Sequence, residues 1–599
     1  MRTAARSLAT AVRLALACAP GLLPARVLLA LATGVVPVVT AWLLKTVLER
    51  IVDPTAPVLG AVVLLALAGI AAVLLPELGR YADNELQRRV GLETRRQLFG
   101  AVGRMHGLKS LEDPRFHDRL TLAAEVGPTG PPEAISAAIG VATSAVTVVA
   151  FLATLVTLNP WMLLLVCLAA LPAVRAEWKL SRYRAAVLTD LGRTTRREFF
   201  YAQLMADLTA AKEVRLYGLS GLFGARMLTE LRRIHGGHRA MDRRELGVQL
   251  IHGVLGAAVA GGGLIWAVAA ARTGRLTVGD VTVFVAAVAG VQAGLSGAAV
   301  HVSRAHEALL LFDHFRFVVD APSDLPVRAQ PRPLPSPLRD GITFDDVWFR
   351  YADDLPWVLR GVTFTVPAGQ AVALVGRNGA GKSSLVKLLC RFYDPSRGSI
   401  RWDGVDLRDL PLEQLRQRLG VVFQDFMAYE LTAADNIGVG DVDRLGDRTA
   451  IEAAAARSGV DVTLAALPHG YDTQLTRVYL DATDRDEHGT GVELSGGQWQ
   501  RVAVARALMR DRCEVLVLDE PSAGLDADAE ADLTEQLRRH RAGRTSVLIS
   551  HRLNTVRDAD FIVVLRDGVI AEQGTHEELR RADGEYARLF HRQAAGYLT

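Results

Sequence analysis

Cysteine and charge are both scarce in this chain. The four cysteines, Cys18, Cys167, Cys390 and Cys513, lie far apart in apolar surroundings with no C-x-x-C spacing. That pattern points to neither a disulfide framework nor a cysteine metal site, and leaves them as small core or lipid-facing residues. Charged residues make up 22% of the 599 while hydrophobic residues make up 50%, a more apolar balance than most soluble proteins have. The net charge of +3 is too small to argue for a nucleic-acid partner. The apolar excess is concentrated before about residue 305, which divides the chain into a membrane part and a soluble part of ordinary globular composition. No acidic or basic side chain falls at the middle of an apolar segment, where an ion-coupled carrier usually needs one. Energy for any transport then comes from elsewhere.

Six segments approach the roughly 20 apolar residues that a spanning helix requires: 24–47, 57–79, 134–158, 160–177, 246–271 and 278–303. The third and fourth are joined by Leu158-Asn159-Pro160, a turn with almost no room for an external domain. The long connections after the second and fourth segments carry about nine and about fifteen Lys/Arg, the other connections far fewer. By the positive-inside rule the long connections and both termini are cytosolic. Arg80 to Met105 and Ala185 to Leu216 contain few helix breakers, so helices are expected to continue well past the bilayer. Before the first segment, Arg6 and Arg13 interrupt the apolar face of residues 1–20 and favour a basic amphipathic elbow helix on the inner membrane surface over a signal peptide. Small residues crowd the fifth and sixth segments, as in Gly256 to Gly263, and read as close helix packing. Gln292, Gln249, His252 and His301 are the polar exceptions, and the last three lie toward the cytosolic ends and read as helix-terminus residues before cargo ligands.

Prolines at 322, 326, 331, 333, 335 and 337 forbid a continuous helix and mark a linker. The expected domains are therefore 21–318 (membrane helices with cytosolic extensions), 319–340 (linker) and 341–599 (soluble). In the last, short strand-like runs (Ile342 to Phe349, Ala371 to Val375, Val515 to Leu518, Ser546 to Ile549, Phe561 to Leu565) alternate with helical stretches, as in an α/β domain with a largely parallel sheet.

The soluble half is organised around Gly376, Arg377, Asn378, Gly379, Ala380, Gly381, Lys382, Ser383 and Ser384, between a strand and a helix start. In G-x-x-x-x-G-K-[ST] the glycines let backbone N–H groups turn inward around phosphates, the lysine reaches the outer phosphates and the hydroxyl serves Mg²⁺. A helix N-terminus adds its own preference for an anion. Further on, Val515 to Leu518 is a buried strand ending in Asp519 and Glu520, and ligands in such sheets bind off the carboxyl ends of strands. Asp519 with Ser383 is placed to hold the metal, and Glu520 to act as general base on the attacking water. Leu494-Ser495-Gly496-Gly497-Gln498 is a second glycine-rich turn opening a helix. A domain with one phosphate loop has no evident use for a second cradle unless two copies meet face to face, each turn closing on the nucleotide held by the other.

Together these motifs resemble the ATP-binding cassette (ABC) transporter superfamily, specifically an exporter half-transporter with fused membrane and nucleotide-binding domains. The resemblance covers essentially the whole chain. It implies a six-span α-helical transmembrane domain plus an α/β P-loop domain in a plasma membrane, using ATP and Mg²⁺. It implies Tyr351 as the aromatic on adenine, Gln424 as a metal-sensing and membrane-coupling glutamine, Asp526 as an inter-subunit loop residue and His551 as a contact to the γ-phosphate. Leu111-Glu-Asp-Pro-Arg-Phe116 and Glu213-Val-Arg-Leu-Tyr217 resemble cytosolic coupling helices. Gln498-Trp499-Gln500 with Phe423-Gln-Asp-Phe426 is similar to a subgroup with lantibiotic and related peptide exporters, though no peptidase domain precedes the first span. Where such exporters carry a short acidic, glycine-containing segment, the run Tyr479 to Gly491 is longer and contains Asp481, Asp484, Asp486 and Glu487. The expected function is ATP-driven export of a hydrophobic or amphipathic substrate, such as a peptide, by a homodimer or a pair with a related half-transporter. A lipid flippase or importer on the same scaffold is the alternative, and an ATP-switched regulator the reading from another class.

Overall fold

The structure is a computed structural model that describes residues 2–53, 55–127, 129–158, 175, 179–180, 183–184, 187, 191–476, 491–522, 525–550 and 552–597. It divides into two compact units, one of Met1–Arg104 with Pro114–Ala321, the other of Met105–Asp113 with Pro322–Thr599.

The first unit is helical. Among the described residues, five helices are long and apolar enough to cross a membrane: Leu22–Val52, Leu59–Gly103, Gly130–Leu158, Ser220–Arg272 and Val278–Val319. The expected fourth span, 160–177, lies almost entirely outside the described residues, as do Asn159 and Cys167. Leu59–Gly103, with 45 residues, runs far past an apolar core's width, as the breaker-poor stretch from Arg80 foretells, and Ser220–Arg272 has 53. The region 191–216 breaks once, at Asp207, whose carboxylate accepts the Ala210 N–H and starts the helix Leu208–Leu216. Thr277 and Asp280 close a reciprocal capping box on Val278–Val319. Arg2–Cys18 is a helix, with Ala11 and Ala15 buried and Leu16 exposed.

Packing between Gly130–Leu158 and Val278–Val319 depends on missing side chains. A Cβ on Gly290 would lie 2.1 Å from Phe151 Cε2, and one on Gly294 would lie 2.6 Å from Val148 Cγ2. Phe151, Leu155, Ala287, Val288 and Val291 form a buried cluster there. Polar side chains also join the helices. Arg26 donates twice to Asp83 (2.8 and 3.0 Å), Lys45 to Asp280 (2.7 Å) and Gln292 Nε2 to the Gly256 carbonyl (3.0 Å). Gln249 donates to Glu245 on its own helix, and the His301 ring fills the space beside Gly140. The side chain of His252 lies outside the described residues.

Among the described residues the second unit contains two sheets. One is antiparallel, in the order β2-β1-β4-β5, built from β1 (Gly341–Phe349), β2 (Leu359–Pro367), β4 (Arg397–Trp402) and β5 (Val405–Asp406). The other has the order β10-β9-β3-β8-β7-β6, from β3 (Ala371–Gly376), β6 (Leu419–Val422), β7 (Val515–Asp519), β8 (Thr545–Ile549), β9 (Phe561–Arg566) and β10 (Val569–Gly574). Its pairings are parallel except β10 with β9. β3 feeds two cores by alternation: Val372 and Leu374 join a cluster with Phe344, Phe364 and Trp402 of the antiparallel sheet, while Ala373 and Val375 join Leu533, Leu537 and Val504 of helices on the opposite face. A strand buried on both faces reads as a continuous apolar run, which is why β3, β7 and β8 are legible in the sequence. The antiparallel sheet is an addition to the expected architecture, with only β1 foreseen.

The proline-rich stretch is pinned to this unit through its backbone. Arg391 donates to the Pro326 carbonyl (2.8 Å), Trp402 Nε1 to the Pro335 carbonyl (3.0 Å) and the Leu338 N–H to Glu514 (2.7 Å).

Candidate functional site: a phosphate cradle at the carboxyl ends of β3 and β7

The sheet register brings the two key motifs together. Ile549, the last residue of β8, pairs with Leu374 of β3 on one side and with Asp519 of β7 on the other. The phosphate loop leaves β3 two residues after Leu374, so loop and acidic pair emerge at the same end of the sheet. His551, two residues past Ile549, lies outside the described residues.

The loop is shaped for close approach. Gly381 adopts a left-handed conformation (φ 104°) as the cap of helix Lys382–Leu389, and a Cβ at Gly376 would lie 2.3 Å from the Leu565 carbonyl oxygen. Lys382 is only 7% exposed, and its ammonium donates to the Gly376 (2.8 Å) and Arg377 (3.1 Å) carbonyls. Burial pushes its pKa down, with the Glu520 and Asp519 carboxylates pulling the other way. No carboxylate lies within ion-pairing distance of it among the described residues. A buried cation whose hydrogen bonds go only to neutral carbonyls, at a helix start, fits an anion such as a polyphosphate.

Asp519 is 4% exposed, and burial raises its carboxyl pKa to about 6, against the lowering effect of a hydrogen bond from Ser383, with Glu520 pushing it further up and Lys382 down. Mg²⁺ takes oxygen ligands, one or two from protein and the rest from phosphates and water. The paired Ser383 hydroxyl and Asp519 carboxylate match that donor set. Glu520 sits at φ +50°, a left-handed conformation that costs a non-glycine residue about 1–3 kcal/mol and concentrates at functional sites. Its own N–H still donates to the Ile549 carbonyl (2.9 Å), so the turn is locked to the sheet while the side chain leaves it. Gln424, two residues past β6, donates through Nε2 to Glu520 Oε2 (3.2 Å). Two residues singled out from separate motifs thus touch directly.

Tyr351 contacts the loop through Ser384: the two hydroxyls lie 2.9 Å apart. Its ring meets Phe349 and Tyr393 edge-on, with centroids 4.9 and 5.3 Å away. Ser495 and Gln498 cap the helix Gly496–Leu508 reciprocally, and Asp526 caps Ala527–Arg541 through the Ala529 N–H (2.8 Å). Gly497 packs near Leu525. Among the described residues no hydrogen bond or ion pair joins Ser495–Gln498 or Asp526 to the phosphate loop. Ala523 and Gly524, and the acidic run from Tyr479 to Thr490, lie outside the described residues.

The partners of one group are not foreseen from the sequence. The short helix Lys109–Glu112 belongs to the second unit, and Glu112 accepts from Lys387 (2.9 Å) and from the Tyr393 hydroxyl. Burial opposes ionisation of Glu112, but Lys387 and Tyr393 together hold its carboxyl below the ordinary range. The Lys387 ammonium also lies 5.3 Å from the Tyr351 ring centroid. Asp324 of the proline-rich stretch accepts the Gly107 N–H (2.8 Å), and Arg416 donates to the His106 carbonyl (2.6 Å). The sequence marks Glu112 only as part of a coupling-helix-like segment, because partners 275 and 281 positions away leave no local trace.

Comparison with known proteins bears on the domain and the fold. Residues 359–523 match the family model described as ABC transporter. The chain is 41% identical over 256 residues to an ATP-dependent lipid A-core flippase of Chromohalobacter salexigens, covering 43% of this chain and 42% of that protein. It is 42% identical over 258 residues to an ATM1-type heavy metal exporter of Novosphingobium aromaticivorans, covering 43% and 40%. The matched stretch thus spans less than half the length of these relatives. A solved bacterial Atm1-family ABC exporter with ATP bound superposes with a TM-score of 0.81 at 26% identity, over 96% of this chain and 98% of that one. These relatives are lipid and metal transporters, not the peptide exporters whose motif context the sequence resembles. The chain carries an ABC transporter domain, fused to a helical region with membrane-length apolar helices, in the fold of an Atm1-family ABC exporter.

Proposed function

We propose that this chain is one half of an ATP-driven exporter: two copies, or one copy and a related chain, bind Mg-ATP between their nucleotide-binding domains and couple its hydrolysis to moving a hydrophobic or amphipathic substrate out across a plasma membrane, with both termini cytosolic. The observation that carries it is the convergence of Lys382, Ser383, Asp519, Glu520 and Gln424 at one end of one sheet, the Gln424–Glu520 hydrogen bond included.

Within that reading the backbone N–H groups of Gly376 to Ser384 and the Lys382 ammonium bind the phosphates. Ser383, Asp519 and Gln424 would hold Mg²⁺, which would supply charge neutralisation. Glu520 takes a proton from the attacking water, and Gln424 fixes its carboxylate in place. By the resemblance, Tyr351 is assigned to adenine and His551 to the γ-phosphate. Among the described residues, Ser495, Gly496, Gly497, Gln498 and Asp526 have no hydrogen-bond or ion-pair partner on their own phosphate loop, which supports their serving the nucleotide of a second copy. The domain limits 1–20, 21–318, 319–340 and 341–599 stand as part of this reading, with Met105–Asp113 grouped with the nucleotide domain.

Lipid flipping is the second reading, favoured by the relatives named lipid A-core flippases. The test is the purified chain alone in proteoliposomes, assayed for ATPase activity stimulated by hydrophobic peptides, lipids and amphipathic drugs, and for cross-linking to itself. Stimulated turnover by a self-cross-linked dimer supports the reading. An inactive monomer overturns the homodimer, and ATP binding with no turnover points to the regulator.

A further inference from the structure

A second candidate site lies within the helical unit. On the helix covering 191–206, Arg193, Arg196, Arg197, Phe200 and Tyr201 fall at i, i+3, i+4, i+7 and i+8, one face of an α-helix. With Glu230 of helix Ser220–Arg272 they line a cavity of about 410 Å³. That is within the roughly 300–1,000 Å³ of small-molecule sites.

A run of arginines on a helix is ordinarily a solvated face. Three observations separate this one. Arg196 is neutralised by Asp118 (2.6 Å), and the buried Glu230 is neutralised by Arg233 (2.9 Å). Arg193 and Arg197 have no carboxylate partner among the described residues, so the cavity keeps two uncompensated guanidiniums. The aromatic side is built, not incidental: Phe200 and Tyr201 meet edge-on with centroids 5.5 Å apart, and Tyr201 stacks on Phe223 at 6.1 Å. Phe200 is 57% exposed beside the cavity, an apolar ring left available to a ligand.

We propose that this cavity binds a water-soluble organic anion, one carboxylate or phosphate group joined to an apolar or aromatic body. Guanidiniums recognise planar oxyanions through paired N–H donors. Phe200 and Tyr201 take the body by stacking. The source is the aqueous phase, on the reading that the apolar helices cross a bilayer. Glu230 lies about 16 residues before the fifth apolar segment on one continuous helix, which at 1.5 Å per residue sets the cavity about 24 Å outside the membrane's apolar layer, beyond a headgroup. The site also lies directly upstream of Asp207 and the coupling-like helix Leu208–Leu216, so occupancy is positioned to affect that segment.

The test is calorimetric titration of hippurate (benzoylglycine) into the full-length chain in phosphatidylcholine nanodiscs without nucleotide. Hippuramide, which lacks the charge, and acetate, which lacks the ring, serve as comparisons. Saturable hippurate binding is expected, with both comparison ligands about tenfold weaker or more. The Arg193→Gln/Arg197→Gln double variant is expected to lose about tenfold in hippurate affinity while still binding ATP. Phe200→Ala is expected to bring hippurate down to the level of acetate and leave acetate unchanged, a readout that survives if the double variant fails to fold. Wild-type hippurate binding that is absent, or equal in the double variant, overturns the site. Loss of binding in nanodiscs containing anionic phosphatidylglycerol overturns the aqueous source in favour of a lipid headgroup. Because no turnover is measured, the result is separate from the ATP-driven export reading.

Discussion

Glycine does different work in the two units, and the difference shows how each is built. In the phosphate loop Gly381 is required for its left-handed backbone, which lets a peptide chain wrap an anion and start a helix at once. In the helical unit Gly290 and Gly294 have ordinary helical backbones, and what they supply is room for Phe151 and Val148. The first use creates a site whose chemistry is fixed by local sequence. The second creates an interface whose partner is a helix more than a hundred residues away. A motif therefore identifies the nucleotide site but says nothing of the cavity that cargo would occupy.

The largest expected effect lies on the nucleotide side. Glu520→Gln keeps the shape of the site and the hydrogen-bonding reach toward Gln424 but removes the base. ATP hydrolysis should fall about 10²- to 10³-fold with Mg-ATP binding retained. Steady-state ATPase rates together with nucleotide-binding titrations check this; turnover near the wild-type rate, or lost ATP binding, would place the base elsewhere. Lys382→Ala should fail differently. It removes the buried ammonium that the loop carbonyls hold. Nucleotide affinity itself should drop by about tenfold or more, measured with a fluorescent ATP analogue.

The helical side is probed by volume. Gly290→Val forces a side chain into the Phe151 ring and should cost about 1–3 kcal/mol, read as a lower melting temperature in detergent. Gly261→Ala, with nothing within 4 Å, should be neutral or slightly stabilising. Equal effects of the two would remove the distinction between space-giving glycines and incidental ones.

The same contrast explains what could be read in advance. β3, β7, β8 and β9 are apolar runs ending in polar punctuation, and the loop, Asp519 and Glu520 follow them at fixed offsets. β2 and β4 carry polar residues on an exposed face, with burial alternating in Leu359–Pro367, so they lack the continuous apolar signal and went unforeseen. The Gln424–Glu520 contact depends on β6 lying beside β7, a matter of sheet order invisible along the chain. The grouping of Met105–Asp113 with the nucleotide domain rests on Glu112, Asp324 and Arg416, each polar residue unremarkable where it stands in the sequence.

The smallest expected effect concerns His540, near the end of the helix Ala527–Arg541. Burial and the flanking Arg544 and Arg457 lower its pKa from the usual 6.5 to about 4. Arg544 NH1 lies 3.1 Å from Nε2, and since a guanidinium can only donate, that nitrogen is the unprotonated one. The unfolded chain takes up a proton as pH falls through about 6.5, whereas the folded chain resists until about 4, so unfolding gains protons across that window and stability declines. Below about 4 both states are charged and the loss stops growing. Thermal melts of wild type and His540→Gln should coincide near pH 7.5 after correction for any constant offset, then diverge on acidification, with wild type falling further by on the order of 2–4 °C at pH 4.5. Comparing the two proteins cancels the opposite trend expected from the raised Asp519 carboxyl, which favours the folded state as pH falls. Parallel curves would show that His540 is as readily protonated in the fold as in the unfolded chain.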